Sequence, residues 1–162
     1  MVNATGMCIV VNNSRTSSMS DELFTDTYGC KQLLRLPFVS GIGHIDERVR
    51  FVTNDKVLTD TESYKEKLEE IGLEVIMMPK PSARYGTYIN SLLINNKIYM
   101  PSFEESEDEE AKNTYLELGF EVVPIDTRSL VRGQGSIHCI TMTYPVAALD
   151  KLFDYYTGSK FL

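Results

Sequence analysis

Cysteine is scarce in this chain: Cys8, Cys30 and Cys139 are the only three among 162 residues. They are too few and too scattered for a disulfide framework or a zinc site, so three reduced thiols and a cytoplasmic setting are expected. Histidine is scarcer still, at two residues, His44 and His138. With neither zinc-ligand spacing nor a glycine-rich phosphate loop, no metal and no organic cofactor is expected. Positive charge is in deficit, with 16 Lys and Arg against 23 Asp and Glu, a formal net charge of -7. This balance argues against nucleic acid or an anionic membrane as the main partner and permits a cationic ligand. No apolar run is long enough to span a bilayer. The opening Met1 to Gly6 has neither the basic nor the long apolar region of a secretory signal, so the sequons at Asn3 and Asn12 are read as chance. Low-complexity tracts are absent as well, and a single globular α/β domain with a real core is expected.

What is present is a recurring pattern. Residues 7–11 (Met-Cys-Ile-Val-Val) read as a buried strand, and Ser20-Asp21-Glu22 as the start of a helix ending near Tyr28-Gly29. A strand from Cys30 to Leu36 follows, stopped by Pro37. The sequence of helix, capping glycine and apolar strand recurs at Gly29, Gly72 and Gly119, roughly every 45 residues. Upstream of the second and third copies, Phe51 to Leu58 and Leu93 to Tyr99 each read as strand, tight Asn/Asp turn and strand. The repeating unit is therefore strand, turn, strand, helix, strand, with module bounds of about 1–40, 41–82, 83–127 and 128–162. The last module is expected to hold a strand over 136–142 and a helix over 146–156. The acidic run from Glu104 to Glu110 reads as a solvated first turn of the helix in the third module.

Chemistry concentrates near the end of the chain, in Gly133-Gln134-Gly135-Ser136-Ile137-His138-Cys139-Ile140-Thr141. The alternation of polar and apolar residues after the glycines suggests a short strand carrying Cys139. Read alone, Cys139 is first of all a small buried hydrophobe, as most unpaired cysteines are. Neighbours on a strand face opposite ways, so His138 is not the expected base for Cys139. His44 is the better candidate, with Asp46 two residues on and on the same strand face. Asn90 stands at the corresponding start of the next module. The alternative reading is a hydrogen-bonded loop histidine for His44 and turn formers for Asp46 and Asn90.

The residues Gly43-His44-Ile45-Asp46, Thr87-Tyr88-Ile89-Asn90 with Asn96 and Pro101, Val123-Pro124-Ile125-Asp126 and Gly135-Ser136-Ile137-His138-Cys139-Ile140-Thr141 carry a specific likeness. In order and spacing the chain resembles the carboxy-terminal part of the agmatine deiminase and bacterial peptidylarginine deiminase family, within the guanidine-modifying penteins. Members fold as five ββαβ modules around a pseudo-fivefold axis, so the resemblance implies an incomplete pentein propeller. It implies that Cys139 attacks as the thiolate and that His44 protonates the departing ammonia and activates water. It implies that Asp46 grips guanidinium nitrogens, and that Asn90 and Gly135 help to bind substrate. Family members are roughly twice this length, and their other guanidinium-binding acid lies in the modules absent here.

The expected function is hydrolysis of a guanidino group, in agmatine, arginine or a peptidyl arginine, to a ureido product and ammonia. An agmatine substrate would tie it to putrescine biosynthesis. A homo-oligomer, or a partner chain supplying the missing modules, is expected because an open fan exposes strand edges and apolar faces. The alternative is a truncated pentein that binds or interacts without turnover. A thiol hydrolase acting on amides is a third reading, and Asp46 suits it less well than a cationic substrate.

Overall fold

The structure is a computed structural model and describes residues 1–143. The helix expected over 146–156 lies outside the described residues. Three small sheets form, and among the described residues they close into no barrel or propeller. The first pairs β1 (Met7–Asn12) with β2 (Gln32–Pro37) in parallel, connected through α1 (Asp21–Tyr28). The second orders β3 (Val49–Phe51), β4 (Lys56–Thr59) and β5 (Glu74–Met77), with α2 (Glu62–Glu70) between the last two. The third orders β6 (Leu92–Ile94), β7 (Lys97–Ser102) and β8 (Glu121–Asp126), with α3 (Glu107–Glu117) before β8. In both three-stranded sheets an antiparallel pair is extended by a parallel strand across a helix. Element order is thus the same in the two, as the paired turn and helix-stop signals lead one to expect.

Local chemistry explains these boundaries. Ser20 accepts the Leu23 N–H at 3.3 Å and caps α1, whose first turn carries Asp21 and Glu22. Gly29, Gly72 and Gly119 all take positive φ, 70°, 84° and 86°, a conformation that a side chain at Cβ would penalise. The acidic run is more than a solvated face. Asp108 accepts hydrogen bonds from the Phe103 and Glu104 N–H groups, from Ser102 Oγ and from Tyr88 OH, and so ties α3 to the loop before it.

Among the described residues two large apolar clusters hold the sheets together, and a smaller third, of Cys8, Phe24 and Cys30, seats α1. Leu58, Tyr88, Ile89, Ile98, Met100 and Tyr115 are fully buried in one of the large clusters, and Ile9, Leu36, Val49, Val57, Tyr64 and Leu68 in the other. Each such side chain contributes roughly 1.5–3 kcal/mol by leaving water. Tyr64 also reaches from α2 to the Pro37 carbonyl at 2.5 Å, which links the second sheet's helix to the end of β2.

Three expectations fail. Cys8 and Cys30 form a disulfide, because β1 and the turn into β2 bring the two buried thiols together; only Cys139 is a free thiol. His44 and Asp46 do not begin a strand. Positive φ at Gly41 and Gly43 turns the chain, and a 3-10 turn over Ile45–Glu47 follows. The expected strand over 136–142 is also a 3-10 turn, at His138–Ile140. Among the described residues no strand pairs with it to satisfy its backbone. Instead Asn90 accepts the His138 N–H on its carbonyl and the Cys139 N–H on Oδ1, and Thr141 N–H closes onto the His138 carbonyl.

Candidate active site

Four side chains from three separate segments meet at one point. Asp46 comes from the 3-10 turn after Gly43, Asn90 from the loop before β6, and His138 and Cys139 from the 3-10 turn near the end of the described residues. The Asn90 segment is pinned from several sides. Thr87 Oγ1 accepts the Ile89 N–H, Tyr115 OH donates to the Tyr88 carbonyl and also bonds Ser91 Oγ, and Arg50 Nε donates to the Ile89 carbonyl at 2.8 Å. Asn90 is buried, so its amide is presented in one orientation.

That amide organises the cluster. Asn90 Nδ2 donates to Asp46 Oδ2 at 3.0 Å and to Cys139 Sγ at 3.1 Å. Cys139 Sγ–H donates to Asp46 Oδ2 at 3.3 Å, and His138 Nδ1 lies 2.8 Å from the same oxygen. Gly135 approaches closely: a Cβ there would sit 3.1 Å from Cys139 Cβ and 3.5 Å from Sγ. All but Asn90 line an open cleft of about 1110 Å³, and His44 lines it too.

The electrostatics follow from this packing. Burial opposes ionisation of Asp46, but the hydrogen bond and charge of His138, with Cys139 and Asn90, outweigh it and bring the carboxyl down to about 2. Burial pushes the Cys139 thiol up from its ordinary value, and the Asp46 carboxylate pushes the same way, while the Asn90 amide opposes both. The resting site is a carboxylate beside a neutral thiol, in a cleft open to solvent. A cation entering next to Asp46 would reverse the balance toward thiolate.

The residues singled out from sequence are distributed as follows. Asp46, Asn90, Gly135 and Cys139 come together. His44 faces the same cleft but is exposed, and its imidazole makes no hydrogen bond among the described residues. His138, set aside because strand neighbours diverge, is in fact the histidine bonded to Asp46; the 3-10 turn removes the alternation on which that exclusion rested. Cys139 is exposed rather than a buried hydrophobe. Arg50 went unnoticed, although a lone charge between Val49 and Phe51 in an apolar strand was a legible signal. No group of three or more His, Cys, Asp or Glu among the described residues could hold a metal ion. No described helix is long and apolar enough to cross a membrane.

The α/β fold with mixed sheets is shared with solved structures of an agmatine deiminase and of DDAH. C. jejuni agmatine deiminase superposes with a TM-score of 0.73 at 22% identity, over 85% of this chain and 51% of that one. DDAH from Pseudomonas aeruginosa superposes with a TM-score of 0.63 at 15% identity, over 84% of this chain and 50% of that one. In sequence, the agmatine deiminase of Pseudomonas putida is 41% identical over 68 residues, which is 40% of this chain and 18% of that protein. A profile of the Porphyromonas-type peptidyl-arginine deiminase family matches residues 4–145, and the chain belongs to that family. It spans about half the length of these solved relatives.

Proposed function

We propose that this chain carries the nucleophile-bearing part of a guanidine deiminase, converting a guanidino group and water to a ureido group and ammonium. The observation that supports it most is the convergence of Asn90 and Asp46 on Cys139 Sγ, at 3.1 and 3.3 Å. A guanidinium carbon is a poor electrophile, so the reaction needs a soft nucleophile and a carboxylate that orients the cation. Asp46 Oδ2 is occupied by Asn90, His138 and Cys139, which leaves Oδ1 to accept a guanidinium N–H.

In this reading the bound cation offsets Asp46 and favours the Cys139 thiolate. The sulfur adds to the guanidinium carbon, and the C–N bond to the leaving nitrogen breaks as that nitrogen takes a proton and departs as ammonia. Water then adds to the S-alkylthiouronium carbon, the C–S bond breaks, and the ureido product leaves with Cys139 restored. His44, exposed on the cleft, serves as the proton donor in the first step and as the base for water in the second. None of these 162 residues is assigned as the second acid that would clamp the guanidinium; another copy of this chain, a partner chain or residues beyond this sequence would supply it.

The half-length match favours one competing reading, a binding module on the same fold that holds a guanidino ligand without turnover. Ammonia release from agmatine, arginine and a peptide with an internal arginine, with Cys139→Ala as control, separates the two. Turnover lost in the control supports the deiminase. A folded sample inactive on all three substrates would leave the binding module. Light scattering on the same sample checks self-association, which a monomer would rule out.

A further inference from the structure

Arg50 lies on β3, is 5% exposed, and borders the same cleft as Cys139. Its Nε donates to the Ile89 carbonyl at 2.8 Å, while its Nη2 is buried without a hydrogen-bond partner among the described residues. A buried guanidinium with an unfilled donor is costly, and its retention calls for a reason. The Ile89 carbonyl belongs to the peptide that leads directly into Asn90. Asn90 in turn holds the His138 N–H, the Cys139 N–H and the Cys139 sulfur.

We propose that Arg50 is a positioning residue for Cys139: it clamps the Ile89–Asn90 peptide that orients the nucleophile, and its buried cation favours the thiolate over the thiol. Among the described residues, Asp46, Cys139, His44, His138 and Met1 line the same cleft as Arg50, and Tyr115 of α3 holds the neighbouring Tyr88 carbonyl. The charges of Asp46, Cys139 and Tyr115 favour the guanidinium, and the Met1 α-amino group opposes it. Asp46 and Cys139 contact one another, so a positive charge beside them offsets the pressure of the carboxylate on the thiol. Burial means that salt screens this charge weakly. The inference rests on Cys139 being the nucleophile, but its test does not require turnover.

The rate of Cys139 alkylation by neutral iodoacetamide is to be followed from pH 6 to 10 in the full chain, with Arg50→Gln and Arg50→Lys beside the wild type. Loss of the cation in Arg50→Gln raises the midpoint of the profile and slows alkylation at pH 7 about tenfold. Arg50→Lys keeps the charge and holds the midpoint, yet loses the clamp. Amide exchange at His138 and Cys139, both held by Asn90, is then at least severalfold faster than in wild type. A Gln profile that overlays the wild type overturns the electrostatic part. Unchanged exchange at His138 and Cys139 in Arg50→Lys overturns the clamp, and it does so even if Arg50→Gln fails to fold. A cationic reagent is avoided, since its binding to Asp46 would mix this question with that of guanidine recognition.

Discussion

Asn90 touches Cys139 twice, donating its amide N–H to Sγ at 3.1 Å and accepting the Cys139 backbone N–H on Oδ1 at 3.2 Å. One side chain therefore fixes both the turn that carries the thiol and the polarity around the sulfur. Replacing Asn90 with Ala removes the donor that eases thiolate formation and leaves the Cys139 N–H without its acceptor. Alkylation of Cys139 at pH 7.5 should slow by about an order of magnitude, and stability should fall by about 1–3 kcal/mol. Urea unfolding and iodoacetamide kinetics on the same sample check both; unchanged kinetics would remove Asn90 from the site.

Gly135 is the second structural control on the sulfur. A methyl group there must displace Cys139 Cβ by a few tenths of an ångström, whereas at Gly133 nothing lies within 4 Å of the added atom. Gly135→Ala should therefore slow Cys139 alkylation severalfold with the fold retained, and Gly133→Ala should leave the rate alone. Equal rates in the two variants would show that the close approach is not felt at the sulfur.

Glu47, beside Asp46 on the 3-10 turn, is buried, and burial raises its carboxyl from an ordinary 4.5 to about 7, with Asp46 and Asp60 pushing the same way and Arg48 opposing. Between these values the folded state keeps a proton that the unfolded chain has lost. Stability from this group is present below pH 4.5 and disappears as pH rises through 7. The full effect is about 3 kcal/mol. Glu47→Gln should flatten the fall in urea-unfolding free energy between pH 5 and pH 8, and parallel slopes in wild type and variant would rule out Glu47 as the source.

Much of the local structure is legible without coordinates. Ser20 caps α1, Gly29, Gly72 and Gly119 end helical segments, and the Asn-rich turns separate antiparallel strands where the sequence signals them. These are short-range effects: a cap or a positive φ depends on one residue and its immediate neighbours. The family likeness is legible for a related reason, since its motifs are contiguous strings.

Contacts between distant segments are another matter. That His138 rather than His44 bonds Asp46 depends on a turn whose backbone donors are satisfied by Asn90, 48 and 49 positions away, and periodicity cannot see such a partner. The Cys8–Cys30 disulfide likewise follows from the parallel pairing of β1 with β2 and not from the cysteine count. The sequence by itself determined the helix stops, the hairpin turns, the repeated element order and the residue types available to the candidate site, because each is set by local backbone preference and composition. Only the tertiary structure decided which groups surround the sulfur, because hydrogen bonds and charges act across space, where Arg50, Asp46, Asn90 and Cys139 are neighbours and the chain's own order is irrelevant.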